Sequence, residues 1–275
     1  MDMKALMVSV ALIFITGCQT ATDERDTSNI NALRAVTELP TRTPSFVERD
    51  QFRHPAETLA FFGIKPNMTV VEIWPGPAGW YTEILAPYLR DNGKLYAAHF
   101  PADTGIEFYT SSLKKFESKL AHAAPVYDKV EVTYFYPPEH TSIAPTASAD
   151  LVLTFRNVHN WAKAGNAQGA FNAFFEAIKP GGILGVVEHR ADEGTALNQQ
   201  IESGYMTESY VIELAEAAGF KLDSKSEINA NPHDNHDHPA GVWSLPPSLR
   251  LGEKDKAQYL QIGESDRMTL KFVKP

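Results

Sequence analysis

The sequence predicts a three-layer α/β fold: a mostly parallel sheet with helices on both faces and an antiparallel C-terminal edge. Three observations carry this. Strand-like and helix-like stretches alternate from residue 68 to residue 220, the pattern left by crossover connections between parallel strands. The stretch ADLVLTF (149–155) is a continuous apolar run, as expected of a strand buried on both faces. The last two strand-like stretches, KLDSKSEI and RMTLKFVKP, are separated only by an irregular insert and one short helical segment, EKDKAQYLQIG. That is the spacing of an antiparallel pair rather than of another crossover.

The elements follow in order. RDQFRHPAETLAFFGI opens the folded region, with Pro55 suited to a first helical position, Leu59, Phe61 and Phe62 as an apolar face, and Gly63 as the stop. MTVVEIW reads as a strand and WYTEILAPYLRDNG as a helix with Ile84, Leu85 and Leu89 inward. KLYAAHF is the second strand. TGIEFYTSSLKKFESKLAHA carries a helical stripe of Ile106, Phe108, Leu113, Phe116 and Leu120, with Asp103 or Thr104 as cap. KVEVTYFY alternates as a third strand and ADLVLTF is the fourth. NAQGAFNAFFEAIKPGG is a helix ended by Pro-Gly-Gly, and ILGVVEH is the fifth strand. TESYVIELAEAAGF begins near Thr207 and Glu208, sets Val211, Leu214 and Ala218 on one face, and stops at Gly219.

Composition narrows the function. The 275 residues are 43% hydrophobic and 21% charged, which suits one domain of above-average size, or two small ones. The formal net charge of −9 and the lack of any Lys/Arg block exclude the basic stripe that a nucleic-acid backbone would require. The N-terminus, MDMKALMVSVALIFITGCQT, has the plan of a secretory signal: one Lys, an apolar run from Ala5 to Ile15, then small residues. That run is short for a membrane span. The only cysteine, Cys18, ends the stretch ITGC. This arrangement resembles the bacterial lipobox, in which the Cys is lipidated and becomes the first residue of the mature chain. The expected organisation is a signal peptide over 1–17, a polar tether over 18–45 with one short helix around Ile30 to Thr37, and a folded domain over 46–275. The chain would then be lipid-anchored on the periplasmic side of a bacterial membrane. With one cysteine, no disulfide can form within the chain.

In such sheets ligands sit beyond the carboxyl ends of the strands, where strand order reverses. The stretch VVEIWPGPAGWYTEIL (70–85) is the first strand-to-helix turn. Gly76 and Gly79 would let a ligand approach the backbone, and Glu72 lies near the strand end. The turn is joined in order by ADLVL, by KPGG and by AEAAGF. Over roughly residues 70–219 these segments resemble the class I methyltransferases that use S-adenosylmethionine. More closely, RHPAETLAFFG, EIWPG, WYTEILAP, RNVHNW, LGVVEHRA and GESDRMTLKFVKP resemble a family of bacterial methyltransferases, often exported. The resemblance implies a Rossmann-like methyltransferase domain, S-adenosylmethionine as cofactor and a small-molecule acceptor. It places the cofactor at Glu72, Trp74, Gly76, Gly79, His99, Asp103 and Asn157.

The sequence departs from that pattern at three places. Trp74 stands where Gly is usual, so its indole either occupies space next to the cofactor or turns away into the core. The GPAG turn is one residue longer. His99 replaces the acid that ends the second strand, with Asp103 four residues on; an imidazole offers one good bond to a ribose edge where a carboxylate accepts two. Export adds that S-adenosylmethionine is made in the cytoplasm. The alternative is therefore an exported binding module that keeps the fold without methyl transfer.

His159 is the candidate general base, with Glu188 or His189 orienting it. RNVHNW also reads as a helix start whose polar groups serve as caps. Arg156 and Arg53 could bind an anionic group through the guanidinium fork, and His54 adjoins Arg53. A second cluster, NPHDNHDHP, brings His233, Asp234, His236, Asp237 and His238 together. It reads either as a divalent-metal site or, without helical i, i+4 spacing, as a solvated loop.

Overall fold

The computed structural model describes residues 19–275; the signal segment and Cys18 lie outside the described residues. Seven strands form one sheet: β1 Thr69–Ile73, β2 Lys94–His99, β3 Val130–Tyr134, β4 Ala149–Phe155, β5 Ile178–His189, β6 Lys221–Ser226 and β7 Arg267–Val273. Their order is β3-β2-β1-β4-β5-β7-β6. The first five pair in parallel, while β7 runs antiparallel to both β5 and β6. The late antiparallel pair and the mostly parallel sheet are as the sequence predicts.

Alternation along the strands divides the core between two faces. Val71, Ile73, Val152, Leu184 and Val186 pack with helices Ala167–Ala177 and Glu208–Ala217 on one side. Val70, Leu151, Leu153 and Val187 pack on the other with helices Pro55–Phe62 and Thr82–Leu89, through Leu59, Phe62, Ile84 and Leu85. Thr207 caps its helix, its side chain accepting from the Tyr210 amide. Chain order reverses between β1 and β4. Ile73 pairs with both Ala98 and Thr154, so Trp74, His99 and Arg156 all leave the sheet at one edge.

Two expectations are corrected. Much of the stretch read as a tether is docked. Helix Gln19–Thr37 buries Leu33 completely, with Ile30 and Val36 against the same cluster. Asn29 donates to the Ile64 carbonyl at 2.9 Å and accepts from the Tyr88 hydroxyl. Arg42, 3% exposed, pairs through both terminal nitrogens with Asp50. The folded body thus begins before residue 46. The helix Glu107–His122 also buries less of its stripe than the spacing implies. Leu113 and Phe116 are inward, but Phe108 is 65% exposed and Ile106, 40% exposed, precedes the helix as its cap.

Candidate functional site

The turn after β1 is held from several sides. Trp74, Gly76 and Gly79 all adopt positive φ, 48°, 74° and 58°. The Glu72 carboxylate is buried and accepts the Thr82 hydroxyl at 2.6 Å, tying β1 to the start of the following helix. Burial pushes its pKa up to about 7. Glu72 therefore braces the turn from behind. Gly79 is a packing requirement: a Cβ there would lie 2.7 Å from Thr82 Oγ1 and 2.9 Å from Phe116. Gly76 is different, because a Cβ there would meet nothing within 4 Å. Its backbone faces open space that a side chain would intrude upon.

Trp74 turns inward, which decides between the two orientations the sequence leaves open. Its Nε1 donates to the Phe135 carbonyl at 2.8 Å, and its ring packs against Phe100 and Trp161 at centroid distances of 4.6 and 5.2 Å. His99 is fully buried. Its Nδ1 accepts the Phe100 amide at 2.8 Å, which leaves the proton on Nε2, 3.3 Å from the Gly76 carbonyl oxygen. Burial pushes its pKa down to about 4. Both ring nitrogens are thus committed to the turn and to the strand end. Asp103 is exposed, its carboxylate 3.6 Å from His140. Asn157 is buried and donates to the Ile73 carbonyl at 3.2 Å, bracing β1 against β4. Of the residues expected at the cofactor, Gly76 offers open backbone, while Glu72, His99, Gly79 and Asn157 support it.

On the β4–β5 side of the switch point lies a cavity of about 370 Å³. The turn contributes Pro75, Pro77, Ala78 and Gly79, and Arg156, His159 and His189 enter from the strand ends. Trp80 and Trp243 form aromatic walls. The expected pairing of His159 with Glu188 is present. Glu188 Oε1 lies 3.0 Å from His159 Nδ1 and also accepts the His189 amide at 2.8 Å; Oε2 accepts the Val158 amide at 2.5 Å and the His159 amide at 3.3 Å. Helix Val158–Lys163 is thereby capped by a carboxylate from β5, with no side-chain cap from Asn157. RNVHNW is thus a helix start whose cap comes from β5 rather than from its own polar side chains. The bond to Glu188 fixes the proton on His159 Nδ1 and leaves Nε2 as the acceptor. His189 Nδ1 lies 2.6 Å from Ser265 Oγ. Burial first, then the charges of His159 and Arg267, hold its pKa well below the usual range.

Ligand-type atoms of His159, Glu188 and His189 lie within 4.8 Å of one another. Both Glu188 oxygens are, however, engaged by N–H donors, and guanidinium groups surround the cavity, so the arrangement is built as a hydrogen-bonded dyad. The His/Asp loop is a structural clasp. Asp234, 4% exposed, accepts from the Tyr205 hydroxyl, the Asp266 and His236 amides and His238 Nε2. His236 lies between Asp266 and Asp192, each 3.3 Å away. His233 and Asp237 are exposed.

Sequence reasoning missed Arg49, Arg267 and Glu264. Glu264 Oε1 accepts Arg49 Nε at 2.5 Å, and Oε2 accepts Arg53 Nε at 3.1 Å and an Arg267 terminal nitrogen. Only the charged run ESDR ahead of an apolar strand hinted at this group.

No family model matches the chain, and no curated protein matches it. Among solved structures it is similar to an S-adenosylmethionine-dependent methyltransferase from Aquifex aeolicus, with 15% identity over 90% of this chain and 98% of that one and a TM-score of 0.54. It is also similar to a phosphoethanolamine N-methyltransferase from Haemonchus contortus in complex with S-adenosylmethionine, with 16% identity over 91% and 57% of the chains and a TM-score of 0.54. The cyclase SpnF aligns at 14% identity over 94% and 95%, with a TM-score of 0.57. At such identities the likeness establishes the fold, that of the class I methyltransferases. The same fold also carries a cyclase, so activity has to be argued from the site.

Proposed function

We propose that this chain is an S-adenosylmethionine-dependent methyltransferase that acts on a small molecule entering the cavity between the β1 turn and His159. The observation that carries the reading is that the turn at the sheet's switch point, through Pro75 and Pro77 to Gly79, and a carboxylate-held histidine border one cavity. The turn fits the cofactor's amino-acid end, because the backbone at Gly76 is open where a Cβ would project. At the ribose end no carboxylate replaces the usual acid, and the half-buried ring of Trp74, backed by Phe100, is the apolar surface there.

The cofactor would supply an electrophilic methyl group. His159 Nε2 accepts a proton from the acceptor's hydroxyl or amine, Glu188 holds the ring and balances the resulting imidazolium, and Trp80 and Trp243 limit water. The same reading makes the chain a lipoprotein held through Cys18 on the periplasmic side, supported by the ITGC stretch and the apolar run before it.

Calorimetric titration of the purified full chain with S-adenosylmethionine and S-adenosylhomocysteine tests the cofactor assignment. Binding at roughly micromolar affinity is expected. Silence at about millimolar ligand overturns the reading and leaves a methyltransferase fold that holds another ligand.

A further inference from the structure

We propose that the cavity recognises an oxyanion, a carboxylate or phosphate borne by the acceptor, on the guanidinium of Arg156 with Arg53 and Arg267 behind it. This rests on the acceptor cavity described above and names the chemical class of its occupant.

The first support is a charge count. Arg49, Arg53, Arg156 and Arg267 all line the cavity, against the single carboxylate of Glu264. Glu188 lies close by, but its charge is already met by three backbone amides and His159. His189 is held neutral. The cavity therefore carries about three uncompensated positive charges, which is costly away from bulk water unless an anion enters.

The second support is where the hydrogen bonds go. Glu264 is shared by Arg49, Arg53 and Arg267, and none of it reaches Arg156. Among the described residues, the Arg156 guanidinium has neither a hydrogen-bond acceptor nor an ion-pair partner. Half-buried Arg156 is joined by Nε of Arg267 and a terminal nitrogen of Arg49, both buried without acceptors. Unused guanidinium donors aimed into a cavity are what a bidentate oxyanion satisfies.

Backbone geometry points the same way. Arg156 has φ +60°, a left-handed conformation that costs a non-glycine residue about 1 kcal/mol or more. The Arg156 amide stays in the ladder, donating to the Val187 carbonyl at 2.7 Å, so the strain re-aims the side chain at the end of β4. Burial, reinforced by Arg267, lowers the Arg156 pKa to about 10, the direction expected of a guanidinium that lacks its counter-ion. Apart from His159, His189 and Ser248, the rest of the lining is apolar. Trp80 lies beneath Arg53 at 4.7 Å and Trp243 lies 5.9 Å from the His159 ring. The occupant implied is a small molecule with an apolar body and one anionic group.

The test is calorimetry of the full chain with two probes, inorganic phosphate and benzoate. Wild type should bind at least one at about millimolar affinity or better. Arg156→Gln should weaken that binding about ten- to a hundredfold, and Arg156→Lys should fall between, since lysine keeps charge but loses the fork. Thermal melts check folding, and Arg156→Gln should melt no lower than wild type, because it relieves repulsion. Failure of both probes to bind wild type at about 10 mM, or unchanged binding by Arg156→Gln, overturns the proposal. Repeating the titration with saturating S-adenosylhomocysteine separates the two carboxylate sources. Unchanged affinity assigns the site to the acceptor, whereas competition assigns it to the cofactor's own carboxylate and overturns the acceptor assignment. If the homocysteine product does not bind at all, the cofactor reading fails while the anion measurement stands independently.

Discussion

Glu188→Gln is the most informative single substitution, because one carboxylate serves four donors. In wild type it accepts the amides of Val158, His159 and His189 and faces His159 Nδ1. Gln keeps one acceptor oxygen, which can stay with Val158 and His159 at the helix start. Its amide nitrogen is then set against the His189 N–H and His159 Nδ1. The histidine can answer by moving its proton to Nε2 so that Nδ1 accepts; the backbone amide cannot. One buried donor is left unsatisfied at about 1–3 kcal/mol, and the charged helix cap is lost at about 1 kcal/mol more. Relief from burying a charge offsets part of this. The net expectation is about 2 kcal/mol, or about 4–8 °C in melting temperature for a chain of this size. The changed tautomer places a hydrogen where the acceptor's proton should arrive, so any methyl transfer should fall about a hundredfold or more. Urea denaturation and ring-nitrogen chemical shifts of His159 read the two effects separately. An unchanged midpoint together with an unchanged tautomer would refute the role given to Glu188.

Three further outcomes follow from the geometry. Glu72 has its pKa raised from 4.5 to about 7 by burial, so the native state keeps a proton that the unfolded chain releases. Its stabilising effect is full below about pH 4.5 and is lost as pH rises through about 7. Relative to wild type, Glu72→Gln should therefore gain up to about 3 kcal/mol between pH 5 and pH 8, and a pH-independent difference in denaturation would contradict this. Gly79→Ala should destabilise by about 2–4 kcal/mol through its clash with Thr82 and Phe116, whereas Gly76→Ala should cost only about 1 kcal/mol yet weaken S-adenosylhomocysteine binding; equal melting temperatures for the pair would count against this division. Cys18→Ser should abolish incorporation of labelled fatty acid into the expressed chain, and retained label would remove the lipoprotein proposal.

What the sequence made legible was local. The strands follow from period-two or continuous apolar runs, the Thr207 cap from a Thr-Glu start, and the β6–β7 pair from the lack of a crossover. The docking of residues 28–45 was hidden because it depends on three sparse apolar positions, Ile30, Leu33 and Val36, in a polar stretch. Phe108 looked like a core residue because periodicity reports a face but not what stands opposite it. In the site, the His159–Glu188 pairing was within reach, since Glu188 ends β5 and His159 opens the helix that follows the adjacent strand β4. The Glu264 cluster was not, because Arg49 and Arg53 meet it from 215 and 211 residues away. Trp74 likewise could not be oriented from sequence, as its partner carbonyl at Phe135 belongs to another crossover.

These placements divide the edge of the sheet into two unlike halves. Toward β2 and β3, Trp74 packs on Phe100 and Phe135, beside a neutral His99 that lies between Phe100 and Phe116 and whose nitrogens are already used. Toward β4 and β5, guanidinium groups outnumber carboxylates, and among the described residues Arg156 has no hydrogen-bond or ion-pair partner. A ligand laid across the turn would meet apolar rings at one end and unmatched positive charge at the other. Polarity of that kind selects orientation before it contributes much affinity, since a reversed ligand would bury its anion among rings without a donor. His159 Nε2 borders the charged half. An acceptor held by its anion on Arg156 would therefore bring its reacting proton to the base, and an acceptor without an anion would have no comparable anchor.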